Sequence, residues 1–203
     1  MTTVRSVGMS FAAPEKTQGV NGGGGSSRRI LTVNADFINE LRGRQNLPPL
    51  PPETLELRPK EIKNLIFAED DPDQAEITGS LVSYLITELS GREAMVQNLR
   101  EIGNKPLPTD RFNIILAITQ SEIVKVPEFV LSNDIGLTVT DFNMPGLTGE
   151  QVATSLRGQN YNGFCIGMTG VSSNIKQFYR ANVDLALMKP LSRDFWLNLF
   201  KFS

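Results

Sequence analysis

The sequence predicts an α/β domain built on a parallel sheet, and three observations predict it. From Asn64 onward, short apolar runs alternate with segments whose apolar residues recur at helical spacing. The runs "NLIFA" and "FNIILAI" carry no polar alternation, which suits strands covered on both faces. A repeated strand-then-helix order requires crossover connections, and crossovers bring strands together in parallel.

The elements follow in chain order. "NLIFA" is the first strand, and "EDDPDQ" closes it. "QAEITGSLVSYLITEL" is a helix whose apolar stripe, with Ile77, Leu81, Tyr84, Leu85 and Leu89 among its members, is expected in the core. "GREAMVQNLREIGN" reads as a second helix between Gly91 and Gly103. "FNIILAIT" is a strand, and "SEIVKVPEFVLSN" is a weaker helix interrupted by Pro127. "IGLTVT" is a strand followed by the helix "TGEQVATSLRGQ", and "GFCIGMT" a strand followed by the helix "SSNIKQFYRAN". "VDLALM" is the fifth strand, and "SRDFWLNLFKF" the last helix, with Phe195, Trp196, Leu199 and Phe200 expected mostly in the core. Cys165, inside an apolar strand, is expected to be a buried apolar residue.

Before Asn64 the texture differs. "GVNGGGGSS" is a flexible tract, and "NLPPLPPE" is too rich in proline for helix or central strand. Between them, "NADFINELRGR" can form a short amphipathic helix with Asn34 or Asp36 near its cap and Phe37, Ile38 and Leu41 on one side. Alone it is too short to be stable. Residues 1–60 are therefore expected to be a disordered or weakly structured tail, dispensable for folding, and residues 61–203 the folded domain.

Composition narrows the chemistry. The net charge of −2 gives no support for a broad basic surface that would bind nucleic acid. No apolar run approaches the ~20 residues that span a bilayer, and the N-terminus lacks the apolar core of a secretory signal. A single cysteine rules out an internal disulfide and suits the cytoplasm. The chain has no histidine, which excludes Ser-His-Asp and Cys-His chemistry, any metal site with imidazole, and a phosphohistidine within this chain.

What remains is carboxylate, lysine and hydroxyl chemistry, and it clusters. In an open parallel sheet the working site lies beyond the carboxyl ends of the strands. Glu69, Asp70 and Asp71 follow the first strand, Asp141 the third, Thr169 the fourth and Lys189 the fifth. Several carboxylates brought together repel unless a cation sits among them. Oxygen ligands without sulfur or imidazole suit Mg²⁺. A carboxylate can also accept a phosphoryl group, with lysine and hydroxyl groups stabilising the charge on its oxygens.

The motifs "FAEDD", "TDFNMPGLTG", "GMTG" and "LMKP", in that order and at strand ends, resemble those of a bacterial two-component response-regulator receiver domain over roughly residues 64–203. The resemblance implies a doubly wound, five-stranded, flavodoxin-like parallel sheet. It implies a signalling phosphoacceptor, not an enzyme beyond its own phosphorylation and dephosphorylation, that takes a phosphoryl group from a phosphohistidine of a sensor histidine kinase or histidine phosphotransfer protein. Asp141 matches the acceptor. Asp70 matches the acid that binds Mg²⁺ directly, Glu69 its neighbour acting through water, and Asn143 the position whose backbone carbonyl completes the metal site. Thr169 matches the hydroxyl that meets the phosphoryl oxygen, Lys189 the lysine that pairs with it, and Pro190 would follow a cis peptide.

Three departures from the pattern stand out. An insertion with its own helix is expected near Ser90–Asp110, Ala186 stands where the family often has Tyr or Phe, and no effector domain follows, so the chain reads as a stand-alone, chemotaxis-regulator-like receiver with an unknown downstream protein partner. Asp71 alone reads best as a helix start. The alternative reading is a pseudo-receiver adaptor that binds a partner without phosphorylation. A dehalogenase-like phosphatase ranks last, because it needs a second acid where Asn143 stands.

Overall fold

The computed structural model describes residues 29–103 and 105–203. Its centre is a six-stranded parallel sheet formed by β2 (Asn64–Ala68), β3 (Ala94–Asn98), β4 (Phe112–Ala117), β5 (Ile135–Asp141), β6 (Phe164–Thr169) and β7 (Leu185–Met188), in the spatial order β3-β4-β2-β5-β6-β7. From β2 the chain goes to the edge strand β3, returns to β4 beside β2, and then crosses to the other side, where β5, β6 and β7 follow outward, so the sheet is doubly wound, as expected. The five predicted strands stand side by side in the order β4-β2-β5-β6-β7.

The sixth strand is a correction. "AMVQN" was expected in a helix, yet it pairs with β4 in parallel, Ala94 opposite Phe112 through Asn98 opposite Leu116. Only four residues of that stretch remain helical, in α4 (Leu99–Ile102). The insertion therefore widens the sheet by a strand and returns through α4.

Side chains alternate across the sheet and select the helices on each face. Leu65 and Phe67 of β2 join one cluster with α3 (Pro72–Ser90) and α9 (Arg193–Leu199), where Phe67 meets Trp196 edge to face with ring centroids 5.6 Å apart. Ile66 and Ala68 join the opposite cluster with α4, α5 (Gln120–Ile123), α6 (Val126–Ser132) and α7 (Gly149–Gly158). A third cluster under α8 (Ile175–Arg180) contains Phe178, Cys165 and Ala186. Cys165, Phe195, Trp196, Leu199 and Phe200 are buried as expected.

The stripe on α3 is buried only in part: Leu85 is in the core and Leu81 packs against it. Ile77 and Tyr84 are 69% and 57% exposed, and the buried face is Ala75, Gly79, Val82, Leu85 and Ile86. Small residues let this helix lie close to the sheet: a Cβ on Gly79 would sit 3.1 Å from the Leu116 side chain. Asp71 caps α3, Pro72 opens it, and Gly91 ends it with φ +70°.

The expectation of a weakly structured tail over residues 1–60 divides at the boundary of the described residues. Residues 1–28 lie outside them. From Arg29 the chain packs on the domain. β1 (Leu31–Val33) pairs antiparallel with β8 (Phe200–Phe202), the end of what was expected to be one last helix. α1 (Ala35–Arg44) starts at Asn34, whose side chain accepts the Phe37 N–H, and α2 (Pro52–Glu56) follows. Leu31, Val33, Ile38 and Leu50 are buried in the α3/α9 core. These residues are too few to form a core alone, and they are stable only against that face. No helix among the described residues is long and apolar enough to cross a membrane.

Candidate functional site

The central strands place the site. β2 and β5 are neighbours, so Glu69 and Asp70, which follow β2, and Asp141, which ends β5, meet at the carboxyl edge of the sheet. One carboxylate oxygen from each of the three lies within 4.8 Å of the others. Glu69 and Asp141 are buried, and Asp70 is exposed at the rim.

Lys189 enters from β7. Its backbone N–H donates to the Thr169 carbonyl at 2.9 Å, which sets the residue beside the end of β6. Its ammonium reaches across β6 to Asp141 Oδ1 at 3.0 Å and donates a short hydrogen bond to Glu69 Oε2. Burial pulls the lysine pKa down, but the bonds to Glu69 and Asp141 outweigh it and hold the value above the ordinary one. Burial raises the pKa of Glu69, opposed by Lys189 and reinforced by the charge on Asp141. The Lys189-Pro190 peptide is cis.

Asp141 is held at both oxygens, because the Asn143 N–H donates to Oδ2 at 3.3 Å. The turn behind it explains its glycines. Gly146 has φ +85°. Gly149 packs so tightly that a Cβ there would lie 2.1 Å from the Asp141 carbonyl oxygen. Its N–H donates to the Phe142 carbonyl at 3.1 Å, which folds the chain back into α7 and leaves the carboxylate at the edge.

Thr169 ends β6 with its side chain fully buried. Its hydroxyl accepts the Val171 N–H at 3.1 Å and the Asn174 side-chain amide at 3.2 Å. Asp71 stands apart from the chemistry: its carboxylate accepts the backbone N–H groups of Asp73 and Gln74 at 3.0 and 3.1 Å.

All the predicted site residues, Glu69, Asp70, Asp141, Asn143, Thr169 and Lys189, therefore come to one edge of the sheet. The reading missed Asn174, whose link to Thr169 spans five residues through a 3-10 turn, Ser172–Asn174. The donor set fits a small hard cation. Three carboxylates cluster while one ammonium contacts only two of them, Glu69 and Asp141, all the offered atoms are oxygen, and the cluster is partly open to solvent at Asp70. Glu69, Asp70 and Asp141 are the carboxylates that could hold it.

No family model matches the sequence, and no curated protein matches it. Among solved structures the chain resembles receiver domains of response regulators. A receiver domain from Francisella is 22% identical, with 65% of this chain and 88% of that chain covered and a TM-score of 0.43. A chemotaxis response regulator of Vibrio cholerae is 14% identical, covering 67% of this chain and 93% of that chain with a TM-score of 0.46. A signal receiver domain from Mycobacterium tuberculosis is 16% identical, covering 68% of this chain and 91% of that chain with a TM-score of 0.46.

Proposed function

We propose that the chain is a response-regulator receiver domain that accepts a phosphoryl group on Asp141. The observation that carries the reading is Lys189, which spans β6 to bind Asp141 and Glu69 while Asp70 waits at the rim. A merely structural lysine would be satisfied by one partner at the surface. Here a buried acid pair shares one ammonium and leaves excess negative charge, which suits a site completed by Mg²⁺. When bound, Mg²⁺ neutralises charge on the carboxylates and on phosphoryl oxygens.

An Asp141 carboxylate oxygen attacks the phosphorus of a phosphohistidine. The new O–P bond forms as the P–N bond breaks, and the electron pair returns to the imidazole nitrogen, which then takes a proton. The donor is the phosphohistidine of a sensor histidine kinase or histidine phosphotransfer protein, since residues 1–203 hold no histidine. Lys189 stabilises charge on the transferred group, and the Thr169 hydroxyl donates to one of its oxygens. The output passes to a downstream protein partner, and the phosphorelay belongs in the cytoplasm.

The test is intact mass after incubation with acetyl phosphate and Mg²⁺. One phosphoryl adduct on the parent and none on Asp141→Asn is the expected result. An equal adduct on Asp141→Asn removes the assignment, and no adduct on either favours the adaptor reading.

A further inference from the structure

Resting on the reading of Thr169 as the hydroxyl that meets the phosphoryl group, we infer that Asn174 is a positioning residue that presets this hydroxyl as a hydrogen-bond donor. The case is an accounting of one oxygen. A threonine hydroxyl carries two lone pairs and one proton. The Thr169 side chain is fully buried, so bulk water does not supply the partners. The Val171 N–H fills one lone pair at 3.1 Å, and the Asn174 amide fills the other at 3.2 Å.

Only the proton is left to use. Its acceptor in the structure is the Val171 carbonyl at 3.4 Å, beyond the usual ~2.5–3.0 Å of an O–H···O bond. That carbonyl already takes the Asn174 backbone N–H at 3.0 Å. The proton therefore has no good internal partner, and the hydroxyl cannot turn to accept. An oxygen of a transferred phosphoryl group offers only lone pairs and matches this unspent donor. Asn174 is itself buried, and its amide is fixed by the turn that leads into α8. An amide at this position donates, whereas a carboxylate of the same shape would accept the Thr169 proton and aim it away from the site.

The experiment is a cycle of Asn174→Ala and Asn174→Asp, each with Thr169 intact and with Thr169→Ala. The rate of adduct formation from acetyl phosphate and the thermal unfolding midpoint are both measured. With Thr169 present, Asn174→Ala should slow the reaction by about 3–10-fold, the worth of one neutral hydrogen bond. Asn174→Asp should slow it further. With Thr169→Ala, both changes should be silent in the rate. Equal slowing in the two backgrounds, no slowing, or a faster reaction for Asn174→Asp than for Asn174→Ala would overturn the inference. If Asn174→Asp does not fold, the alanine half of the cycle decides by itself. A parent protein that gains no adduct overturns the receiver reading together with this inference, whereas an adduct indifferent to Asn174 overturns this inference alone.

Discussion

Asp70 and Asp71 are adjacent, chemically identical and differently employed. The carboxylate of Asp71 is occupied by hydrogen bonds from the start of α3, chiefly from Gln74, and these hold its pKa below the ordinary range. Asp70 belongs to the acidic cluster at the sheet edge. Asp71→Ala should therefore lower the thermal unfolding midpoint slightly, as lost helix caps do, and leave Mg²⁺ affinity little changed. Asp70→Ala should weaken Mg²⁺ binding by at least the ~10-fold that losing an outer-shell partner typically costs, with little effect on stability. A Mg²⁺ titration of both variants checks this, and equal losses would point to a diffuse acidic surface. The acids, Thr169 and Lys189 were legible because each stands directly after an apolar strand, where the sheet edge gives a residue its neighbours. Asn174 was not, since its role depends on how a short turn folds back. Asp184 gave a signal that went unread: an acid inside "VDLALM" is costly to bury without a partner.

At the scale of elements, local composition and tertiary context compete. "EAMVQNLREI" is rich in helix formers, and the order of residues gave no reason to break it. The open edge of β4 takes "AMVQN" as a strand, because pairing there satisfies backbone groups that a lone helix would leave exposed at the end of the sheet. "FKF" at the chain's end alternates as a strand should, but its partner "LTV" lies 169 positions away along the β1–β8 register, and the two were not connected. The inserted unit is tied to the sheet by Glu122. Its carboxylate accepts the Thr119 N–H at 2.8 Å, the Ile118 N–H at 3.1 Å, the Thr119 hydroxyl at 2.9 Å and, across the insertion, the Arg100 N–H at 3.1 Å. Burial pushes its pKa up, but these donors outweigh burial and leave it below 4.5. The unfolded chain therefore binds the proton more readily than the folded one. Glu122 contributes stability above pH 4.5 that is lost as the pH falls through its lowered folded value. Glu122→Gln should cost about 1–3 kcal/mol at neutral pH and flatten the acid limb of a stability-versus-pH curve. An unchanged acid limb would show that the donors do not favour the charged form.

Across the whole molecule, the segment before β2 is part of the fold. Arg58 forms a short ion pair with Asp184 Oδ1, and Arg157 holds Oδ2 at 2.7 Å, so one buried acid joins the segment, α7 and β7. The Cys165 N–H also donates to Oδ2 at 2.8 Å. At the outer edge of β7, Arg42 donates to the Asp184 carbonyl at 2.7 Å and Gln45 to the Ala186 carbonyl at 2.9 Å, so α1 covers backbone groups that a sheet edge would otherwise expose. Proline and glycine content suggested a dispensable tail because it marks where a chain cannot build a core of its own, not where it borrows one. A chain beginning at Lys60 loses Arg58 together with buried Leu31, Val33, Ile38 and Leu50. Asp184 keeps Arg157 but loses its second guanidinium, and each buried apolar side chain removed costs roughly 1.5–3 kcal/mol, a large share of the ~5–15 kcal/mol that holds a domain folded. Its thermal midpoint should drop sharply, and an unchanged midpoint would return residues 29–60 to the status of a tail. The doubly wound sheet serves one end: it carries Glu69, Asp70, Asp141, Thr169 and Lys189 to a single edge from four strands. Borohydride reduction after phosphorylation tests that claim most directly, because it converts an aspartyl phosphate to homoserine where it stands. Peptide mapping by mass should then find homoserine at position 141 and aspartate unchanged at positions 70 and 71; homoserine at either of those positions, or at none, would contradict the assignment of Asp141 as the acceptor.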